Sequence, residues 1–215
     1  MKITTMKSNF SMLIFLILCR THVNADTWVS PKTKEYFSAD SSYFIRIVPT
    51  KIPDKYYEWL NARPKKKKKY SEVDTTIIYC HALFYNKNEG SDSLILSRKL
   101  INRIAPETAI ISNDGTWVVT FDNWGALGLG DNVLVCYNAT GDFQFRTNLE
   151  FISPFPLNDF ERSVSSLWWR CGQLFKDAEN IEICFSTENG MMKKAEFNLN
   201  KLNIQSKMIG IKSDD

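Results

Sequence analysis

Two stretches of this chain repeat one another without a gap. Ser38-x-Asp40-x-x-Tyr43-Phe44-Ile45-x-Ile47 matches Ser112-x-Asp114-x-x-Trp117-Val118-Val119-x-Phe121. Each begins with short polar residues whose side chains bond local backbone and so favour a turn. Each continues into an aromatic and β-branched run, the composition of a strand. A weaker third copy, Ser165-Ser166-Leu167-Trp168-Trp169-Arg170, resembles Ser41-Ser42-Tyr43-Phe44-Ile45-Arg46. Later strands echo too: Val135-Cys136-Tyr137 with Arg146 and Leu149 resembles Ile183-Cys184-Phe185 with Lys194 and Leu199, and Phe84-Tyr85-Asn86 fits more loosely. Discounting one insertion, the period is about 50 residues, a propeller-blade length. Three such units cannot close a ring that needs about four blades. The expected fold is therefore all-β: a partial β-propeller-like repeat of about three antiparallel units, or a β-sandwich, or an assembly completed by a partner.

The stretch from Ile110 to Asp142 shows the unit most fully. Asn113-Asp114-Gly115 supplies a tight turn, and Trp117 to Phe121 a strand. Gly125, Gly128 and Gly130 interrupt regular structure before Val133 to Tyr137 resumes a strand. Further strands are expected at 43–48, 76–85, 94–101, 143–149, 167–170, 181–185 and 193–199, with a short helical turn within 158–163. The insertion is the Lys-rich excursion at about 54–74, which carries Arg63 and Lys65 to Lys69 with Tyr56, Tyr57 and Trp59 nearby. Like charges repel and extend such a run, so it reads as a solvated loop.

Residues 1–25 read as a signal peptide. Lys2 and Lys7 precede the apolar run Met12 to Leu18, and Val23-Asn24-Ala25 suits cleavage. The run is far short of the roughly 20 residues that span a bilayer. Residues 26–215 then form one all-β repeat domain, secreted or periplasmic. Three of the chain's 27 basic residues and none of its 24 acidic ones lie in the signal segment, leaving a formally neutral remainder. Nothing in that balance suggests nucleic acid or a membrane surface as partner. A protein or glycan ligand fits it better.

The run Ser112 to Gly125, followed by Gly130-Asp131-Asn132-Val133, resembles a group of exported bacterial proteins of unknown function with β-propeller-like repeats. Their shared features are Asp-Gly turns, an aromatic strand and a Phe-Asp-Asn-Trp connection, here Phe121 to Trp124. Ser165 to Arg170 is similar as well. The resemblance implies the repeat fold and no activity, and the Lys-rich run departs from it.

The chemistry-bearing residues cluster on the Gly-rich connection, and loops are where binding residues concentrate. Asp122, Asn123, Trp124 and Asp131 are the expected ligand-binding residues. The connection is not a phosphate cradle, because a strand rather than a helix N-terminus follows it. Asp122, Asn123, Asp131 and Asn132 offer hard oxygens, but their spacing fits no calcium pattern, so no metal or cofactor is assigned. His81 neighbours Cys80 on an alternating strand, so the two point to opposite faces and make a poor nucleophile–base pair. No catalytic residue is assigned. Trp117 reads as core, and Trp168 and Trp169 as wedges between sheets or a platform for a glycan.

The reading is an exported binding or assembly module without catalytic activity. Its rivals are a polymer-acting hydrolase or lyase using loop carboxylates, and a ligand-free envelope protein. Four cysteines remain after cleavage, with three ways to pair. Cys136 and Cys184 occupy echoing positions in separate sheets and read as free thiols, with at most one bridge, Cys171 to Cys184, and no partner evident for Cys80. N-terminal sequencing of exported protein is expected to begin at Asp26. A chain beginning at Met1, or a lipid on Cys19, would refute the signal assignment.

Overall fold

The computed structural model describes residues 28–51, 77–88 and 91–208. The expected signal segment, 1–25, and the Lys-rich excursion, 54–74, lie outside them. The excursion's flanks are held together, because Lys51 and Ile78 pair as an isolated antiparallel bridge.

The chain is all-β, with antiparallel sheets. β1 (Lys34–Phe37), β2 (Tyr43–Val48), β3 (His81–Asn88) and β4 (Ser91–Lys99) form a four-stranded sheet in chain order. β5 (Pro106–Ile111), β6 (Trp117–Asn123), β7 (Leu134–Asn138) and β8 (Phe143–Thr147) form a second in the same order. After helix α1 (Leu149–Ile152) and a 3-10 turn at Leu157–Asp159, β9 (Glu161–Arg162) and β10 (Leu167–Trp168) make a short ladder. β11 (Arg170–Phe175), β12 (Asn180–Ser186) and β13 (Met192–Asn198) form a third sheet, and α2 (Leu199–Met208) follows it.

The repeat is visible bond by bond in the first turns. Ser38 Oγ donates to Asp40 Oδ1 at 2.7 Å and accepts the Tyr43 N–H at 3.1 Å, while Asp40 Oδ1 accepts the Ser42 N–H. Ser112 Oγ likewise donates to Asp114 Oδ1 at 2.6 Å and accepts the Trp117 N–H at 2.9 Å, and Asp114 Oδ1 accepts the Thr116 N–H. Both turns hold one residue in the left-handed region at the same step, Ser41 at φ 62° and Gly115 at φ 71°. The turns also touch each other. The Asp40 N–H donates to Asn113 Oδ1 at 3.1 Å, and the Tyr43 ring lies where a Gly115 Cβ would project, 2.8 Å away.

The third copy sits elsewhere than expected. Ser165 to Arg170 does not form the equivalent turn: Leu167 and Trp168 pair with β9, and Arg170 begins β11. The equivalent turn is Phe175-Lys176-Asp177, where Asp177 Oδ1 accepts the Glu179 and Asn180 N–H groups. Only the aspartate of the Ser-x-Asp pattern survives there, so the sequence match fell on a more Ser-rich decoy. β11, β12 and β13 thus correspond to β5, β6 and β7, and α2 follows where a fourth strand would. On this correspondence Cys136 and Cys184 lie on different strands of their units. Cys184 is not a free thiol, since it bonds Cys171 with Cα atoms 5.1 Å apart. The bulge between Arg170 and Gly172 brings Cys171 beside it. Cys80 and Cys136 are free and buried.

The sheets stack in chain order. One core joins Ile45, Ile47, Ala82 and Phe84 of the first sheet to Ile111, Val118, Val135 and Tyr137 of the second. The other joins Val119, Phe121, Leu134 and Cys136 of the second to Ile181, Ile183 and Phe185 of the third, with Leu149 and Leu199. The middle sheet is thus covered on both faces, which explains why β6 and β7 read as continuous apolar runs rather than alternating ones. β12 alternates because one of its faces is open.

The two left-handed positions differ in what they tolerate. Glycine reaches this region without the Cβ penalty that costs other residues about 1–2 kcal/mol. In urea unfolding, Ser41→Gly is expected to gain about 0.5 kcal/mol after the added unfolded-chain entropy. Gly115→Ser is expected to lose about 2 kcal/mol or more, because strain and the Tyr43 ring oppose it together. A loss for Ser41→Gly, or no loss for Gly115→Ser, would refute the left-handed reading of that position.

Candidate functional site

The four expected loop residues are placed in different environments. Asp122, next to last in β6, has φ 56°, a left-handed conformation for a non-glycine residue, and its side chain is wholly buried. Its Oδ1 accepts the Gly128 N–H at 2.7 Å, and both oxygens face Trp169 Nε1 at 3.1 and 3.2 Å. The Arg170 guanidinium is 3.6 Å away. Asn123 accepts a bond from Asn102 Nδ2 at 2.9 Å. Trp124 is half-buried: its indole N–H donates to the Val29 carbonyl at 3.1 Å, and its ring meets Trp28 edge-on at 5.3 Å. Asp131 alone has an exposed side chain.

The Gly-rich connection docks the third unit onto the second. A Cβ on Gly128, at φ 68°, would lie 2.9 Å from Leu167 and 3.0 Å from Trp169. The Leu167 N–H donates to the Leu127 carbonyl at 2.9 Å. Trp169 is therefore a wedge between sheets, as is buried Trp117, whereas Trp168 is about half exposed.

Where β1, β5 and β11 converge, Tyr36, Glu107 and Arg170 meet beside Asp122. Arg170 reaches Glu107 at 2.7 Å and lies over the Phe121 and Trp169 rings. The Tyr36 hydroxyl donates to the Glu107 carbonyl at 3.4 Å. Burial pushes the Asp122 carboxyl up to about 6, against the opposing pull of Arg170, the Gly128 N–H and the Trp169 indole. Burial and then Glu107 push the Tyr36 phenol up to about 12. This is an interior tie closed to solvent at Asp122, so a polymer cannot reach that carboxylate.

An open cleft lies elsewhere. About 590 Å³ in volume, it is lined by Tyr79, Lys99, Leu100, Ile101, Asn102, Arg103, Asn132 and Arg146. Three of these are cationic, and no acid is among the described residues that line it. The connection from β4 to β5 forms one wall and is pinned in two places. The Ile101 N–H donates to the Tyr137 hydroxyl at 3.1 Å, and Asn102 bonds Thr120, Asn123 and the Asp122 carbonyl. Arg146, paired across from Val135, reaches Asn132 Oδ1 at 3.4 Å, and Lys99 Nζ stands 3.9 Å from the Tyr79 ring centre. Lys99, Arg103 and Arg146 escaped the sequence reading because no local motif unites them. Their one signal is that both chain segments border the expected loop, through Asn123 and Asn132.

His81 places Nδ1 3.0 Å from the Tyr79 carbonyl, while burial pushes the neighbouring Cys80 thiol up to about 12, away from nucleophilic use. Among the described residues no group of three or more His, Cys, Asp or Glu is arranged to hold a metal, and no helix is long and apolar enough to cross a membrane. No family model matches the chain, and neither the curated proteins nor the solved structures include one similar to it.

The Asp122 tie has a pH signature. Its folded carboxyl, raised from 3.8 to about 6, contributes stability that is fully present below about 3.8 and lost as pH rises through about 6. Asn at this position lacks that dependence. From pH 4 to pH 7, thermal or urea unfolding is expected to shift the stability difference in favour of Asp122→Asn by about 2 kcal/mol, most of the full effect at about 1.36 kcal/mol per pKa unit. A difference independent of pH would refute the raised carboxyl.

Proposed function

We propose that this protein is an extracytoplasmic binding module without catalytic activity, built as a partial propeller-like stack of three blade-like sheets. The ligand is an acidic saccharide, carboxylated or sulfated, held in the cleft between Lys99, Arg103 and Arg146. The observation that carries this reading is the concentration of three cations in one cavity with no acid among its described lining. A cavity of one charge sign with low-dielectric walls focuses its field and draws in opposite charge. Tyr79, about half exposed at the rim, adds a ring face of the kind on which sugars stack. Asn132 in the lining offers an amide of the kind that hydrogen-bonds sugar hydroxyls.

The hydrolase rival is less well supported. Its mark would be a raised carboxyl in a cleft, and the raised carboxyl here, Asp122, is sealed inside. The single Cys171–Cys184 bridge is compatible with an oxidising compartment.

Titration calorimetry with a sulfated tetrasaccharide and its uncharged counterpart tests the proposal. The sulfated sugar is expected to bind, the neutral one to bind at least about tenfold more weakly, and added salt to weaken the first. Lys99→Glu with Arg103→Glu, both at exposed positions, is expected to weaken the sulfated sugar at least about tenfold with the fold retained. Equal binding of both sugars, or indifference to the charge reversals, would overturn it.

A further inference from the structure

The three sheets each carry one apolar row across their strands, at equivalent positions. In the third sheet it is Phe175–Ile181–Phe197, and in the second Ile111–Val118–Tyr137–Phe143. In the first it is Phe37–Phe44–Tyr85–Leu94. The second sheet's row is covered by the first sheet, and the third sheet's row by the second. The first sheet's row belongs to neither core. Phe37 is 47% exposed and Leu94 53%. Phe44 is buried beneath its own neighbours, stacked on Phe37 at 5.2 Å and on Tyr85 at 4.5 Å with rings 3° from parallel.

We infer that this open face of the first sheet is the interface of a two-fold homodimer, in which the row of one copy packs on the row of the other. The charges on the face favour self-pairing. Glu35 and Arg46 form an ion pair at 2.7 Å beside the row, and Lys87 pairs in register with Asp92. Beside the row, the acids Glu35 and Asp92 thus stand with the bases Arg46 and Lys87, and a two-fold axis can set the acid of one copy against the base of the other. Arg46 already lies over Tyr85, and Lys87 over Phe37, so the cations frame the aromatic row.

Head-to-tail stacking is disfavoured by the other end of the molecule. The outward face of the third sheet carries Lys194 on Glu182 at 2.7 Å and Lys176 on Glu196 at 3.4 Å. An apolar row laid there would strip water from these ion pairs without offering them partners. Like face on like face avoids that and stops at two copies. The other occupant to be considered is the segment 52–76 of the same chain, whose flanks meet at Lys51 and Ile78 beside this sheet.

Sedimentation equilibrium of the purified protein is the test. The wild type is expected to be a dimer at micromolar concentration. Phe37→Lys and Leu94→Lys, each at an exposed position, are expected to weaken the dimer at least about tenfold, with unchanged far-ultraviolet circular dichroism. Two variants guard against misfolding of either one. A wild type that stays monomeric, or that dimerises only after residues 54–74 are deleted, would overturn the proposal in favour of the intrachain segment. Higher assemblies abolished by Glu182→Arg would overturn it in favour of head-to-tail stacking.

Discussion

A β-sheet with an apolar row on one face is stable in water only when something covers that row. In this protein the sheet before it does so. Phe84 and Ile45 cover Val118 and Tyr137, and Val119 and Phe121 cover Ile181 and Phe185. The arrangement makes the middle sheet the most deeply buried part of the chain. It also makes its two neighbours dependent on it, since neither of their apolar rows faces the other. The contact is local to successive units, as in other repeat architectures whose stability sums over neighbouring interfaces.

The apolar stacking sets which sheets face each other, and polar ties set how they are aligned. Asp122 joins the end of β6, the Gly-rich connection and the third unit through one carboxylate. That carboxylate resists ionisation because burial outweighs its hydrogen bonds and the Arg170 charge. A left-handed backbone at Asp122 and a glycine at 128 are the local conditions for this contact. Glu107 and Tyr36 extend the tie to the first strands of the second and first sheets. A buried polar cluster of this kind specifies geometry more than it adds stability, because its desolvation cost offsets much of its attraction.

These ties also shape where an open cleft can form. Asp122 and Trp169 at the heart of the tie are sealed from solvent, whereas the segments that join the units pass over the sheet ends and leave a cleft. Lys99, Arg103 and Arg146 arrive there from two sheets, on backbone pinned by Tyr137 and Asn102. Arg103 lies on the connection itself, while Lys99 ends β4 and Arg146 lies near the end of β8, so the sheet framework fixes where two of the three charges stand.

The all-β character and the first two turns were legible in the sequence because strand composition and Ser-x-Asp turns act within a few residues. Ser38 and Ser112 make the same bonds in both copies, and those bonds need no distant partner. The bridge between Cys171 and Cys184 was legible only as a possibility across one hairpin, because the register that a bulge sets between Arg170 and Gly172 is not written in local sequence. The third copy was not, because Phe175-Lys176-Asp177 keeps one turn residue and relies on the neighbouring sheet for its position. The burial of Asp122 was not legible, since local sequence cannot say which side of a connection another sheet will cover. Leu167 and Trp169 cover Gly128 and Asp122, from residues more than a strand pair away. The cationic cleft was invisible for the complementary reason: Lys99, Arg103 and Arg146 share no motif, and only the stacking of the sheets brings them together. Sequence alone determined the short-range elements, whose energies are local. Which faces were buried, and which charges converged, was decided by the packing of one sheet on the next.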